Sequence, residues 1–467
     1  MQQEKVMKKL GLIIGLGAIA YFGSVYVVDS SDRTLSDTKL AQSNSKNDPV
    51  SSAAFKVLTE NGCSYCHTDN SEMPFYANFP IAKQIMQKDV ESGLRHFQFD
   101  DVLSSFSKGN EISDVALAKI SGVLNDSSMP PKAYLSMHWR SSLSDDEKQT
   151  LRTWIKQEQE NKQSLASEAF KYEAIQPIND AIKVDNDKVA LGEVLYHDTR
   201  LSGDNTVACS SCHSLSTGGV DRLTTSTGIN GAKGPINAPT VFNSSYNIHQ
   251  FWDGRASDLQ EQAGGPPMNP IEMGSTSWEQ ITQKLGLDEG VKAAFAKIYP
   301  DGITGDNITD AIAEFEKTLI TPNSRFDQFL KGDDLALNAQ EKNGYELFKQ
   351  NKCSTCHAGQ AMGGQTFEVM GLKADYFTQR GNVSEVDNGR FNVTNKAYDM
   401  NRFKVPTLRN IALTAPYFHD GSVNSLDEAV AVMAEYQVGV TLSYSEIADI
   451  SAYLKTLTGD YKGQMLN

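Results

Sequence analysis

An uncharged, mostly apolar run extends from Leu10 to Val28 near the start of the chain. Its ~19 residues are about the length that an α-helix needs to cross a bilayer. Three lysines precede the run: Lys5, Lys8 and Lys9. Lysines beside such a helix stay in the cytoplasm, which places the rest of the chain across the membrane. A cleaved signal peptide is the competing interpretation, but no clear small-x-small cleavage site follows. We predict a retained, single-pass anchor over residues 1–30.

Residues 29–50 are polar, rich in Ser, Asp and Asn, and lack apolar periodicity. Such a composition is typical of a flexible linker. We therefore predict a flexible tether over residues 31–50.

The remainder of the chain repeats one pattern three times: a helical lead-in, a loop-rich stretch and a closing amphipathic helix. The lead-ins include Ala53–Leu58, Lys188–Tyr196 and Glu341–Phe348, and the closing helices include residues 151–155, Ala311–Leu319 and Ile447–Leu457. In the last of these, Ile447, Ile450 and Leu454 follow helical spacing. Two closing helices start with a capping-box pattern: Ser144 with Glu147, and Ser443 with Glu446. Long β-type alternation is scarce, so the pattern predicts an all-α fold.

The composition and net charge argue against one class of function, nucleic-acid binding. The apolar and aromatic content is ordinary for a soluble globular protein. The formal net charge of −15 argues against nucleic acid as a partner. The same negative charge would allow a basic redox protein to dock, but it is only weak evidence for such a partner.

All six cysteines fall into three copies of Cys-x-x-Cys-His: Cys63-Cys66-His67, Cys209-Cys212-His213 and Cys353-Cys356-His357. A lone Cys-x-x-Cys could be a redox dithiol or half of a zinc site. Three copies, each followed by His and with no cysteine left over, indicate c-type haem. The two thiols reach the vinyl groups of one porphyrin, and the histidine is the proximal iron ligand. We predict three covalent haems, which are attached in the periplasm.

Three motifs in one chain predict three cytochrome c-like haem domains behind the transmembrane helix. We place a mono-haem domain at residues 51–160, a second haem domain at 165–335 and a third at 336–467. A mostly polar segment, Glu158–Phe170, links the first two, and the next boundary falls near Lys331–Asn338.

The sixth iron ligand decides whether a haem carries electrons or activates a small molecule. In the first domain, Met129 stands in a stiff Met-Pro-Pro loop and is our predicted ligand, since a thioether suits haem iron. His138 and His96 are the alternatives. In the second domain, the Gly-rich stretch from Leu215 to Gly234 contains neither His nor Met.

Residues from about 165 to 460 closely resemble the bacterial di-haem cytochrome c peroxidases. The resemblance rests on four long strings: Gly234–Asn243 (GPINAPTVFN), Gln250–Arg255 (QFWDGR), Leu319–Gly332 (LITPNSRFDQFLKG) and Leu408–Gly421 (LRNIALTAPYFHDG). It implies that the Cys209/Cys212 haem is peroxidatic, with His213 proximal. It also implies that the Cys353/Cys356 haem donates electrons, with His357 proximal and Met433 distal.

The same resemblance implies further roles. Glu272 and Gln262 match the peroxide-pocket residues, and Trp252 matches the tryptophan between the two haems. Asn237, with the backbone carbonyls of Thr414 and Pro416, matches the interhaem calcium site. Oxygen ligands of this kind are those that calcium prefers.

One departure from the family is Ile229. In many members a histidine at the aligned position blocks the peroxidatic iron until the other haem is reduced. Isoleucine cannot ligate iron, so we expect an enzyme that needs little or no reductive activation. An off-register histidine, such as His249, is the alternative ligand.

The extra N-terminal haem domain and anchor are the second departure. Met129-Pro-Pro followed by Tyr134 and His138 resembles a small haem-binding cytochrome module. The whole chain resembles the tri-haem, membrane-bound quinol peroxidases, which implies hydrogen peroxide as substrate, an inner-membrane location and membrane quinol as donor. A soluble cytochrome c is the alternative donor, and the family also allows a homodimer.

Two other functions compete with peroxide reduction. A pure electron conduit would need three six-coordinate irons, against which the missing ligand after His213 argues. An oxidase of protein side chains, as in relatives that mature a tryptophan cofactor, would have Tyr where Met433 stands.

Overall fold

The computed structural model describes residues 2–42, 48–69 and 71–467. The described part is mostly helical, which confirms the all-α prediction. It divides into two compact units, Met1–Lys162 and Gln163–Asn467. The division lies within the segment that the sequence predicts as a linker.

The helices of the first unit are α1 (Gln2–Gln42), α2 (Pro49–Glu60), α3 (Cys63–His67), α4 (Pro80–His96), α5 (Asp100–Lys108), α6 (Asp114–Asp126), α7 (Lys132–Leu135) and α8 (Asp145–Asn161). Short 3₁₀ turns occur at Phe75–Asn78 and Trp139–Ser141. A core that includes Leu117, Leu151 and Trp154 joins α2, α5, α6 and α8.

Helix α1 contains the predicted anchor. Within the part of the chain that the structure describes, it alone is long and apolar enough to cross a membrane. The helix continues to Gln42, so residues 31–42 are helical and the prediction of a flexible tether is wrong there. The added turns are held by an ion pair between Arg33 and Asp29 at 3.2 Å and by a hydrogen bond from Ser36 Oγ to the carbonyl of Thr59. The rest of the predicted tether includes residues 43–47, which lie outside the described residues.

The helices of the second unit are α9 (Asn186–Tyr196), α10 (Cys209–Cys212), α11 (Leu259–Met268), α12 (Trp278–Leu285), α13 (Glu289–Ile298), α14 (Gly305–Lys317), α15 (Arg325–Leu330), α16 (Ala339–Gln350), α17 (Tyr376–Arg380), α18 (Phe391–Thr394), α19 (Leu426–Val432) and α20 (Tyr444–Lys455). Two small antiparallel sheets pair β1 (Phe367–Val369) with β2 (Arg402–Lys404) and β3 (Asp460–Tyr461) with β4 (Gln464–Met465).

Each predicted lead-in in this unit crosses its closing helix at a glycine. A Cβ on Gly192 of α9 would lie 1.9 Å from the carbonyl oxygen of Ala311 in α14. A Cβ on Gly344 of α16 would lie 1.9 Å from the carbonyl oxygen of Asp449 in α20. Because any side chain would push these helices apart, both crossings depend on glycine.

Both predicted capping boxes are confirmed. Ser144 and Glu147 close the start of α8, and Ser443 and Glu446 close the start of α20. These boxes satisfy backbone amides that a helix start leaves unpaired. The division of the second unit into domains at residues 165–335 and 336–467 stays a prediction.

Candidate haem and peroxide sites

The three Cys-x-x-Cys-His motifs each begin a short helical turn. The first and third follow their lead-in helices α2 and α16 closely, whereas a 3₁₀ turn, Thr199–Leu201, lies between α9 and the second. Each of the six cysteines is partly accessible. The first cysteine of every motif, Cys63, Cys209 or Cys353, packs against a hydrophobic core of its own. Burial raises the pKa of each of these three thiols to about 12. An apolar surface beside a neutral thiol is suited to an apolar porphyrin edge.

Two of the motif histidines have a fixed orientation. His67 Nδ1 lies 2.9 Å from the carbonyl oxygen of Phe97, and His357 Nδ1 lies 3.0 Å from that of Met362. A carbonyl can only accept, so Nδ1 carries the proton and Nε2 keeps the lone pair that iron requires. His213 differs, because its Nδ1 is buried and has no hydrogen-bond partner among the described residues. Its ring is instead buried near the backbone of Gly219 and Pro239. The donor set of all three motifs therefore fits c-type haem.

The predicted sixth ligands lie at chain turns. Met129 is half-buried in the loop after α6, and Met433 opens a π-helical turn, Met433–Val438, after α19. Such π-turns occur frequently at functional sites. Both ring nitrogens of His138 have partners, Tyr134 and Tyr76, so His138 is engaged elsewhere in this structure. His96 bonds the carbonyl of Ser92 within its own helix. Met129 and Met433 stay predictions as ligands.

Glu272 lies in the turn that follows α11, with most of its side chain covered. Its Oε1 accepts a hydrogen bond from Asn269 Nδ2 at 2.8 Å. Burial raises the pKa of Glu272, while the guanidinium of Arg255 and the Asn269 bond act in the opposite direction. The Glu272 charge is also felt at Cys212, so this carboxyl lies beside the second haem motif.

The loop that carries Ile229 packs directly on the Glu272 turn. The Ile229 amide donates to the Glu272 carbonyl at 2.9 Å. A Cβ on Gly228 would lie 2.1 Å from the carbonyl oxygen of Ile271, so only glycine allows this approach. Ile229 Cδ1 packs over Gly274, where a Cβ would lie 2.1 Å away. The position that bears a ligating histidine in many relatives is thus an apolar contact here.

The structure shows few contacts of Gln262 and His249 that bear on their predicted roles. Gln262 lies partly buried in α11, the helix that leads into the Glu272 turn. His249 Nδ1 is buried without a hydrogen-bond partner among the described residues, and its ring lies 5.8 Å from that of Phe367. The roles predicted for Gln262 and, alternatively, for His249 stay predictions.

Trp252 is fixed by the segment that carries Asn237. Its indole Nε1 donates to the Asn237 carbonyl at 2.9 Å, and the Asn237 amide donates to the His419 carbonyl at 2.8 Å. The Asn237 side-chain amide donates to the carbonyls of Leu223 and Thr224, which leaves its oxygen as an acceptor. Asn237 is thereby brought next to the segment that contains Thr414 and Pro416. The calcium site stays a prediction.

Sequence reasoning missed a buried ionic cluster beside Trp252. His419 Nε2 lies 2.7 Å from Asp387 Oδ1, and Arg380 pairs with Asp387 at 2.7 Å and also with Asp420. Burial alone would raise the pKa of Asp387, but the Arg380 ion pair and several hydrogen bonds lower it to about 2. Since Arg380 supplies the positive charge, this cluster is an ion-pair network. Asn269 and Arg255 were also missed as partners of Glu272, although both belong to strings beside predicted site residues.

Three family models match successive parts of the chain. They are a haem-binding domain at residues 20–157, the di-haem cytochrome c peroxidase family at 186–335 and cytochrome c at 341–458. Each matched segment contains one of the three Cys-x-x-Cys-His motifs.

Individual proteins extend the match to the full chain. The cytochrome c peroxidase Ccp of Escherichia coli (strain K12) is 47% identical over 98% of this chain and 99% of its own length. The cytochrome c551 peroxidase of Nitrosomonas europaea is 48% identical over 62% of this chain and 85% of its own. A crystal structure of a MauG-like protein associated with microbial copper homeostasis is 30% identical, with a TM-score of 0.54 over 61% of this chain and 93% of its own.

Proposed function

This chain belongs to the di-haem cytochrome c peroxidase family, and we propose that it reduces hydrogen peroxide to water in the periplasm with electrons from membrane quinol. Its activity as a haem peroxidase follows from the family and from its full-length relative. The finer proposal comprises three haems, an inner-membrane anchor, quinol as donor and an interhaem calcium ion. The observation that carries the proposed peroxide chemistry is the packing of the Ile229 loop on the Glu272 turn.

Haem, when bound at the three motifs, supplies the iron that binds peroxide and the redox centres that deliver electrons. The residues that would hold it are the six motif cysteines with His67, His213 and His357. Met129 and Met433 are the proposed sixth ligands in the first and third domains. No ligating side chain follows His213 at the Ile229 position, which supports a peroxide site that is open in the oxidised protein.

Glu272 is the proposed acid–base group. Burial raises its pKa toward the range in which a carboxyl both takes and gives protons near neutral pH. In our proposal Glu272 moves a proton from one peroxide oxygen to the other, and the O–O bond then breaks. Asn269 holds the carboxyl in position through its 2.8 Å hydrogen bond. Gln262 is proposed to orient the peroxide by hydrogen bonding.

The Glu272→Gln variant tests this role. Gln keeps the size and one acceptor of the side chain but cannot exchange a proton. Loss of an acid–base group costs about 10²- to 10⁴-fold in rate, so we expect kcat for peroxide to fall by that factor. Glu289→Gln is the matched control, since the Glu289 side chain is 85% exposed. Turnover of Glu272→Gln within twofold or so of the control would remove Glu272 from the mechanism.

The donor is tested separately. An anchored first haem domain favours a lipid-soluble donor, while a soluble cytochrome c is the alternative. Peroxide consumption is measured with a short-tail quinol alone and with reduced cytochrome c alone. Activity with cytochrome c but not with quinol would support the peroxidase activity and would assign cytochrome c, not quinol, as the electron donor.

A further inference from the structure

Four side chains of the first unit form a partly buried polar cluster just beyond the apolar segment of α1. The Tyr76 hydroxyl donates to Asp32 Oδ1 at 2.7 Å and lies 3.0 Å from His138 Nε2. The Asp32 carboxylate lies 3.8 Å from His138 Nε2. The imidazole of His138 stacks on the ring of Tyr134 at 3.7 Å, with 2° between the planes. We call Asp32, Tyr76, Tyr134 and His138 the Asp32 cluster.

The Asp32 cluster has spare capacity to accept protons. His138 Nδ1 lies 3.0 Å from the carbonyl of Tyr134, so Nδ1 carries a proton and Nε2 is the acceptor of the neutral ring. The single hydroxyl proton of Tyr76 can go to Asp32 or to His138, but not to both. Either the carboxylate or the imidazole therefore keeps a lone pair for a ligand's hydroxyl. Burial raises the pKa of Asp32, with Tyr76 and His138 opposing the shift, so protonation of this carboxyl is eased.

The cluster lies just beyond the end of the apolar run of α1. Asp32 follows the end of the apolar run at Val28 by about one helical turn, or ~6 Å. Below it, the Tyr21 hydroxyl donates to the carbonyl of Ser136 at 2.5 Å, and Trp139 Nε1 donates to Tyr21 at 3.2 Å. The Trp139 ring also packs on Phe22 at 5.7 Å. Tyr21 lies seven residues before Val28, so these contacts place the loop that carries His138 against the last ~10 Å of the apolar run.

An exposed apolar surface adjoins the cluster. Its four side chains are each more than half exposed: Phe75, Phe79, Ile81 and Ile85. Phe75 packs on Tyr76 at 5.9 Å and on Phe79 at 5.8 Å, so the surface is continuous with the cluster. Apolar side chains exposed together mark an interaction site, and this surface is next to a helix of membrane-spanning length. A lipid-soluble molecule in the bilayer can therefore reach Tyr76 without crossing water.

The other side of the cluster faces the first haem motif. The Tyr134 hydroxyl is buried, with the Ser141 side chain close to it. A Cβ on Gly62 would lie 3.3 Å from that hydroxyl, so it is placed against the residue before Cys63. Tyr65, inside the motif, also interacts with Asp32. The cluster thus bridges the end of the apolar run of α1 and the haem-attachment helix α3.

We propose that the Asp32 cluster is the quinol-oxidation site, an inference that rests on quinol being the donor. Asp32 or His138 accepts the proton of one quinol hydroxyl, Tyr76 hydrogen-bonds that oxygen, and the proton of the second hydroxyl passes to water. The quinol becomes a quinone by losing two protons and two electrons. The haem c that Cys63 and Cys66 would hold would accept the two electrons, which finally reduce peroxide. Peroxide takes up two electrons and two protons and gives two waters, so the reaction balances.

The test uses the full-length holoprotein in lipid nanodiscs. Asp32→Asn and Tyr76→Phe are nearly isosteric, and Asp37→Asn on the exposed side of the same helix is the control. We measure peroxide consumption with a short-tail quinol and with a small reduced dye that needs no quinol site. Independently of turnover, we measure binding of a fluorescent hydroxyquinoline analogue of quinol.

We expect both variants to lose quinol-dependent turnover by about tenfold or more, as for lost proton acceptors. They should also bind the analogue more weakly than Asp37→Asn does. All three variants should retain dye-dependent turnover. Analogue affinity and quinol turnover equal to the control in both variants would overturn the site. A wild-type protein that consumes peroxide with the dye but never with quinol would instead overturn the donor assignment. The two failures are therefore distinguishable.

Discussion

The backbone amide of Ile229 donates a hydrogen bond to the carbonyl oxygen of Glu272 at 2.9 Å. This bond joins the loop that lacks a ligating side chain to the turn that carries the proposed acid–base group. The two features that define the peroxide site are therefore one structural unit. A change in the loop should reach the carboxyl without altering Glu272 itself.

Gly228→Ala tests this coupling. An alanine Cβ would lie 2.1 Å from the Ile271 carbonyl and 2.5 Å from that of Glu272, so the loop must move away from the turn. Overpacking of this kind costs about 1–3 kcal/mol. We expect a lower melting temperature and a lower kcat for peroxide. Gly234→Ala is the control, since its Cβ would meet only the Ser226 carbonyl at 3.8 Å. Equal kinetics in the two variants would show that a change in the Ile229 loop does not affect the function of the Glu272 turn.

Ile229→His should restore dependence on reductive activation. A histidine at this position gives the loop a side chain that can ligate iron, whereas isoleucine cannot. We expect the oxidised wild type to show a high-spin EPR signal and immediate turnover. The oxidised variant should lose much of that signal and turn over only after pre-reduction. Ile229→Val serves as control for the lost contact with Gly274. A wild type without a high-spin signal would show that another side chain, such as His249, closes the site.

The buried carboxyl of Glu316 predicts how the free energy of unfolding changes with pH. It is buried in α14, its Oε2 has no hydrogen-bond partner among the described residues, and burial raises its pKa to about 8. The folded carboxyl keeps its proton between the unfolded value of 4.5 and about 8, where the unfolded chain has lost it. The free energy of unfolding therefore falls as pH rises through this window, by up to about 5 kcal/mol for such a shift. Glu316→Gln should abolish this fall.

Denaturant unfolding of the holoprotein at pH 5 and at pH 8 measures the effect. The wild type should lose more stability between these values than Glu316→Gln does. Equal losses in the two proteins would mean that Glu316 is solvated or paired in the folded state.

Local patterns predicted much of the fold. The capping boxes at Ser144 and Ser443 and the apolar spacing of Ile447, Ile450 and Leu454 are encoded within a few residues, and the structure has helices there. The tether prediction failed over residues 31–42 because contacts such as that of Ser36 with Thr59 stabilise a polar helix that local composition does not favour.

Some residues of the candidate sites can likewise be predicted from local sequence, whereas others are brought together only by the fold. The haem motifs are recognisable from residues adjacent in the sequence, and the resemblance to the family identifies Glu272 and Trp252. The Asp32 cluster joins residues that are 44 and 62 positions apart, Asp32 with Tyr76 and Tyr76 with His138. The pair of His419 with Asp387 spans 32 positions. No periodicity links such residues, so only the folded chain brings them together.

The most direct test of the account is steady-state peroxide consumption by purified, fully oxidised full-length protein, with a short-tail quinol as the only donor. We predict turnover from the first seconds without pre-reduction, because in our proposal Ile229 leaves the peroxide site open and the anchor domain accepts electrons from quinol. Absence of turnover with quinol, in a preparation that consumes peroxide with reduced cytochrome c, would contradict the account.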